Sequence, residues 1–321
     1  MTLTVRVSAD HDTSADHTSS ADHAASAGHD ATIDPNATPD PGFHPYPAAL
    51  PPHGPRVRQV TLRISDRIVP VAPGVTQRMW TFGGTVPGPT LHGRIGDTFV
   101  VTLINDTSMG HSIDFHASIL APDGPMRTIG PGQRLVYRFT AAHAGAWMYH
   151  CATAPMIQHL GNGMYGAVVI DPPHLTPVDA EYVLVQSELY LGQQGQLGDP
   201  AKMTRGTPDA VVFNGYYDQY RYAPLPARAG GRMRIWVLDA GLARPSAFHV
   251  VGTQFDTVFS DGAYLVRPGN PARGAAQALA LLPGQGGFVE FTVPAAGHDP
   301  FLSHLMVDAA RGATGMLTAT G

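Results

Sequence analysis

The chain has 321 residues, of which 43% are hydrophobic and 14% charged, and its formal net charge is -5. This negative balance without a basic run argues against nucleic acid as a partner, and no apolar stretch reaches the roughly 18 residues that a membrane-spanning helix needs. The 36 glycines and 29 prolines favour short strands joined by turns, and the single cysteine excludes an internal disulfide framework.

The first 55 residues do not have the composition of a folded domain. Residues 9–30 are mainly Ala, Ser, Thr, Asp and His, and a histidine recurs every six residues, at His11, His17, His23 and His29. Such a segment has too little apolar surface to offset its ordering entropy, so we predict disorder. We interpret it as a solvated spacer, with loose copper or zinc binding as the alternative. The proline-rich residues 34–55 predict a semi-rigid linker.

The folded part is predicted to begin near Val57. Apolar and polar residues alternate in V-T-L-R-I-S and Q-R-M-W-T-F, as they do in half-buried strands. Further strands are predicted at G-D-T-F-V-V-T-L-I-N, L-V-Y-R-F-T, A-G-A-W-M-Y-H-C and G-A-V-V-I-D-P-P, separated by Gly/Pro turns. These strands predict a first domain over residues 56–174.

The only cysteine lies in a loop with other metal-binding residue types. Cys151 follows His150 directly, and the spacing C-x7-H-x4-M adds His159 and Met164. A thiolate, imidazoles and a thioether on one loop are typical of a blue-copper site, which requires a second histidine. The upstream segment H-S-I-D-F-H offers two histidines for that place. The alternative is that the cysteine is a small buried hydrophobe.

The second half of the chain repeats the plan of the first. P-G-Q-R-L-V-Y-R-F-T, with Pro131 and Phe139, matches P-G-Q-G-G-F-V-E-F-T, with Pro283 and Phe291, at the same internal spacing. A duplicated unit of short strands predicts two Greek-key β-sandwiches in tandem, the second over residues 175–321. The cysteine loop occurs in the first copy only.

Four ordered motifs carry a resemblance to a known family. H-S-I-D-F-H, Y-H-C-A-T-A-P-M-I-Q-H-L-G-N-G-M-Y-G, S-A-F-H-V-V-G and F-L-S-H-L resemble the motifs of copper-containing nitrite reductases, which have two cupredoxin domains and belong to the multicopper oxidase superfamily. The resemblance covers roughly residues 56–321. It implies an oxidoreductase of denitrification that reduces nitrite to nitric oxide, with two coppers per chain and electrons passing from a type 1 to a type 2 copper.

The resemblance also implies residue roles, which we state as expectations. The type 1 copper ligands would be His111, Cys151, His159 and Met164. The type 2 copper ligands would be His116, His150 and His304, the last from a neighbouring subunit of a homotrimer. Asp114 and His249 would handle protons beside the type 2 copper, and Val251 would lie near the substrate pocket.

The implied partners are nitrite and a small redox donor protein, either a cupredoxin or a cytochrome c. The resemblance implies an extracytoplasmic location, in the periplasm or at the cell surface. The opening residues M-T-L-T-V-R-V-S-A-D show no signal peptide. We therefore expect either a cytoplasmic protein or an export segment outside the numbered sequence.

Two other functions fit parts of the sequence. A small laccase-like multicopper oxidase would share the duplicated sandwich, but its three-copper cluster needs pairs of histidines spaced H-x-H, and the chain contains no H-x-H. A blue-copper electron carrier would need only the type 1 ligands, and the additional histidines at 116, 150 and 304 argue against it.

Overall fold

The computed structural model describes residues 30–267 and 269–321. The predictions of disorder and loose metal binding concern residues almost entirely outside this range. The proline-rich linker is described, with Tyr222 donating a hydrogen bond to the carbonyl of Ala37 and the side chain of Gln219 accepting one from the backbone of Tyr46. These bonds fasten the linker to the second half of the chain.

The described residues form many short strands and a few short helices. The strands are β1 (Val57–Ala72), β2 (Val75–Phe82), β3 (Leu91–Arg94), β4 (Thr98–Asn105), β5 (Asp114–Phe115), β6 (Arg134–Thr140), β7 (Gly145–His150), β8 (Tyr165–Asp171), β9 (Ala180–Leu189), β10 (Ala210–Phe213), β11 (Leu225–Arg228), β12 (Arg232–Asp239), β13 (Ser246–Val250), β14 (Thr257–Ser260), β15 (Ala263–Val266), β16 (Leu279–Leu281), β17 (Gly286–Thr292), β18 (Gly297–Ser303) and β19 (Thr314–Thr320). The helices are α1 (Met156–Gly161), α2 (Pro200–Arg205), α3 (Gln219–Tyr222) and α4 (Met306–Ala309).

The first half of the chain forms two four-stranded sheets. Their strand orders are β2-β1-β4-β6 and β3-β8-β7-β5. Strand β6 illustrates the predicted alternation, because Leu135, Tyr137 and Phe139 are buried and the residues between them are exposed. Side chains from both sheets meet in one apolar core, which makes this half a β-sandwich.

The second half forms a larger pair of sheets. A six-stranded sheet has the order β10-β9-β12-β17-β14-β15, and a five-stranded sheet has the order β11-β19-β18-β13-β16. These sheets also share one core. The four sheets confirm the predicted all-β fold of two tandem sandwiches. The domain boundaries at residues 55/56 and 174/175 stay predictions.

The two sandwiches pack against each other through a third apolar core. Met148 and Val169 from the first sandwich meet Val185, Trp236 and others from the second, and all are buried. Within residues 30–267 and 269–321, no helix is long and apolar enough to cross a membrane.

The sequence repeat corresponds to equivalent places in the two sandwiches. Gly145 begins β7 with φ 152° and Gly297 begins β18 with φ 150°, values that favour glycine because it has no Cβ. His150 ends β7, and His304 directly follows β18. The two copies therefore place a histidine at the end of the same strand.

The second sandwich buries an acidic side chain whose charge is poorly compensated. Asp239 is fully buried; its Oδ1 accepts a hydrogen bond from the backbone of Gly241 at 3.0 Å, and its Oδ2 has no hydrogen-bond partner. Burial, together with the nearby carboxylates of Glu188 and Asp308, raises the pKa of Asp239 from 3.8 to about 8. Because the folded state favours the protonated form, the stability from this group is fully present below pH 3.8 and is lost as the pH rises to about 8.

Asp239→Asn is therefore expected to stabilise the protein above neutral pH. The amide keeps the Oδ1 acceptor and does not ionise, so we expect a gain of about 1–3 kcal/mol at pH 9 and a melting temperature higher by a few degrees. Thermal unfolding at pH 4 and pH 9 checks this. The two proteins should differ at pH 9 only, and an equal difference at both values would exclude a charge effect.

Candidate metal centres

The segment that joins the two predicted copper sites is less regular than a strand. His111 forms an isolated bridge with Ile129, and only Asp114 and Phe115 pair with β7, in β5. The side-chain amide of Asn105 donates to the carbonyl of Ile129, the bridge partner of His111, at 2.9 Å. Most of residues 111–116 therefore lies outside the strands, and the two histidines of the segment lie in different clusters.

The first cluster contains His111, Cys151 and His159. The Nδ1 atoms of the two histidines lie 3.1 Å apart, and the Sγ of Cys151 lies 3.2 Å from Nδ1 of His159 and 4.0 Å from Nδ1 of His111. All three residues are at most 1% exposed. Met164 is also fully buried, and its carbonyl accepts a hydrogen bond from the backbone of Cys151 at 3.1 Å. β7, α1 and the loop before β5 therefore bring His111, Cys151 and His159 together, and Met164 lies in the same apolar core as Cys151.

The electrostatics of the first cluster favour neutral imidazoles. Burial and the neighbouring His159 lower the pKa of His111 to about 4, and burial also lowers the pKa of His159. The lone pairs of both rings are thus available at neutral pH. The backbone N–H of Ser112 donates to the Cys151 sulfur at 3.4 Å, which stabilises a thiolate. A soft thiolate with two neutral imidazoles fits copper.

The second cluster contains Asp114, His116 and His150. The Nε2 atoms of His116 and His150 lie 3.0 Å apart, and Oδ2 of Asp114 lies 4.0 Å from Nε2 of His150. Nδ1 of His150 donates to the carbonyl of Cys151 at 2.9 Å, so its Nε2 carries the lone pair. His150 is buried whereas His116 lies at the surface. Two imidazoles that leave coordination positions open toward the surface fit a catalytic metal.

The remaining predicted residues form a separate group. The rings of His249 and His304 lie 5.5 Å apart, and Nδ1 of His249 makes a short hydrogen bond to the carbonyl of Gln277. His304 is exposed and Val251 is 40% exposed. His304 is not one of the potential ligands that meet at the second cluster among the described residues of one chain. The predicted type 2 set is thus divided into two parts on the surface of the chain.

Sequence reasoning missed a third cluster of potential ligands. His53, His92 and Asp171 each present a ligand atom within 4.8 Å of the others. They come from the linker, from β3 and from the end of β8, so no spacing motif connects them. His53, a histidine in the proline-rich linker, was the sequence feature that could have indicated this cluster.

Comparisons with known proteins agree with these observations. A family model described as multicopper oxidase matches residues 64–175. A copper-containing nitrite reductase of Neisseria meningitidis serogroup B is 33% identical over 286 residues, which are 86% of this chain and 72% of that protein. One of Alcaligenes xylosoxydans xylosoxydans is 30% identical over 281 residues, 79% of this chain and 84% of that one. The structure of a copper nitrite reductase from Nitrosomonas europaea superposes with a TM-score of 0.75 at 34% identity, covering 83% of this chain and 94% of that chain.

Proposed function

The chain belongs to the family of copper-containing nitrite reductases, and we propose that it is an oxidoreductase that reduces nitrite to nitric oxide at two neighbouring copper sites. One observation carries the proposal. Cys151 belongs to the first cluster and His150, the residue before it, belongs to the second. A chain that only carried electrons would have no need of the second cluster.

The two clusters suggest two coppers per chain. His111, Cys151, His159 and Met164 would hold the type 1 copper, and His116 and His150 would hold the type 2 copper together with His304 of a neighbouring subunit. Bound copper would supply one-electron transfer at both sites and an open position for nitrite at the type 2 site. The separation of His304 from His116 and His150 within one chain supports a site shared between subunits, as in the homotrimer that family membership implies, where each interface would complete one site.

The covalent link between the clusters supports electron transfer. The peptide bond between His150 and Cys151 joins the sulfur of one cluster to the imidazole of the other. In addition, Nδ1 of His150 donates to the carbonyl of Cys151 at 2.9 Å, so a second, shorter connection runs through this hydrogen bond. Both residues are buried, which keeps the connection away from solvent.

The acid–base residues are divided between subunits in the same way as the ligands. Nitrite, one electron and two protons give nitric oxide and water, so the site needs proton donors. Asp114 lies beside His150, and His249 lies beside His304. An interface that brings His304 to the second cluster therefore also brings His249, the second proton-handling residue, and Val251, which follows it by two residues.

His249→Ala is expected to lower nitric oxide formation by about 100- to 10,000-fold, because general acid–base catalysis contributes that much. The test is anaerobic, with copper-loaded protein, a reduced small-molecule donor, nitrite and a nitric oxide electrode. His298→Ala is the matched control, since His298 is exposed on β18 and belongs to none of the clusters. The control should retain the parent rate.

The same assay separates the alternatives. Oxygen uptake with a phenol as donor, without nitric oxide formation, would contradict the proposal and indicate a laccase-like oxidase. An intact blue spectrum without either reaction would indicate an electron carrier.

The electron donor and the location are part of the proposal. Met156 and Ile157 of α1 are 43% and 38% exposed and stand next to the buried His159 in the same helix. An apolar surface this close to the first cluster suits a small donor protein, such as a cupredoxin or cytochrome c. By family membership we place the reaction outside the cytoplasm, in the periplasm or at the cell surface.

A further inference from the structure

The cluster of His53, His92 and Asp171 has no part in the proposed reaction. It lies where residues 51–53 of the proline-rich linker meet the first sandwich, and it opens into a cavity of about 710 Å³. Oδ1 of Asp171 lies 2.8 Å from Nε2 of His92, and Oδ2 lies 2.8 Å from Nε2 of His53. The two imidazole rings are only 3.8 Å apart between centroids.

The hydrogen-bond roles at His92 leave its Nε2 lone pair facing a carboxylate. Nδ1 of His92 lies 2.6 Å from the carbonyl oxygen of Pro51, which can only accept, so Nδ1 carries a proton. This N–H bond to a carbonyl is the contact that orients metal-binding histidines through their other nitrogen. A lone pair 2.8 Å from a carboxylate oxygen requires a positive charge between them, either a second ring proton or a metal ion.

His53 is the second imidazole that faces this carboxylate. Its Nε2 is buried and lies 2.8 Å from Oδ2 of Asp171. A carboxylate and two imidazoles thus surround one point.

We propose that His53, His92 and Asp171 form a third metal site, which binds a divalent transition ion such as Zn²⁺ and fastens the linker to β3 and β8. Imidazole and carboxylate ligands suit Zn²⁺, and the cavity leaves room for water as a fourth ligand. The cationic side chain of Arg94 opposes metal binding at this site, because its Nη2 lies 2.8 Å from Nδ1 of His53. When His53 binds the ion through Nε2, Nδ1 takes the proton and the exposed Arg94 side chain turns to solvent. This inference does not depend on the proposed function.

The test is hydrogen exchange of the full-length, copper-loaded protein with and without Zn²⁺. Copper is supplied at two equivalents per chain and unbound metal is removed before zinc is added, so that the two copper sites are filled and the third cluster is open to zinc. Some amides in the peptide 46–58 exchange only when the linker detaches from the first sandwich. Their exchange rates should fall about 100-fold at a zinc concentration 100 times the dissociation constant. This local measurement is not affected by zinc bound to histidines elsewhere in the chain.

Four variants make the test specific. His53→Ala and Asp171→Asn should remove the zinc effect, and His53 is only half-buried on the linker, so its loss leaves the sandwich core intact. His174→Ala is the control, since His174 lines the same cavity but lies outside the cluster, and it should keep the effect. Arg94→Gln should tighten zinc binding about tenfold, because it removes a cation beside the ion.

The outcomes separate a metal site from a hydrogen-bonded ion pair. Slowing in the parent and the control, its loss in His53→Ala and Asp171→Asn, and tighter binding in Arg94→Gln support the metal site. The proposal is overturned, and the cluster holds a proton only, if zinc does not slow amide exchange in the parent. The same holds if zinc slows amide exchange equally in the His53→Ala variant. Weaker zinc binding in Arg94→Gln would also contradict it.

Discussion

Cys151→Ser is expected to abolish the blue absorption of the copper-loaded protein and to lower nitric oxide formation from a protein donor by more than about 100-fold. The thiolate is the soft ligand that makes the first cluster suitable for copper, and a serine hydroxyl does not replace it. The substitution is nearly isosteric in a fully buried position, and the hydroxyl can accept the Ser112 N–H bond in place of the sulfur. The fold should therefore survive while the first site is lost.

Absorption spectra, copper analysis and the nitric oxide electrode check this prediction together. The copper content should fall from two per chain to one, because the second cluster keeps all its residues. Ala152→Ser is the matched control, since Ala152 is the next residue and contributes only its backbone N–H to the cluster's surroundings, at 3.1 Å from Oγ of Ser112. A blue band that persists in Cys151→Ser would show that another residue set holds the type 1 copper.

Chains with His304→Ala and chains with His116→Ala are each expected to form almost no nitric oxide, yet mixed assemblies of the two should recover about one quarter of the parent activity. In the proposed homotrimer, a complete type 2 site would need His116 from one subunit and His304 from the next. In a random equal mixture, half of the subunits supply an intact His116 and half of their neighbours supply an intact His304. The product of these fractions is the expected share of complete sites.

The pairing of His249 with His304 provides the control for this experiment. Their rings lie 5.5 Å apart in the same chain, so in the proposed assembly both would reach a given site from the same subunit. Mixing His304→Ala with His249→Ala chains cannot place both intact residues at one site, and activity should not rise above the contribution of the His249→Ala chains. Full activity of His304→Ala alone, or no recovery in the first mixture, would contradict a site shared between subunits.

Much of the fold follows from local patterns in the sequence. Alternation in segments such as L-V-Y-R-F-T predicts strands because successive side chains point to opposite faces, and β6 buries the expected three residues. The repeated P-G-Q segments predict two equivalent sandwiches. The Cys loop could be interpreted as a metal site because its ligands are close in sequence, although the short helix α1 that positions His159 was not predicted.

The sequence by itself therefore determined the all-β class, the duplication and the group of candidate ligands that share one loop, because each depends on neighbouring residues. Only the tertiary structure decided that His249 and His304 stand apart from His116 and His150, because the distance between two sandwiches depends on how Met148, Trp236 and the rest of their shared core pack. It likewise decided that His53, His92 and Asp171 meet, since parallel pairing of β3 with β8 and the path of the linker bring together residues that are far apart in the sequence.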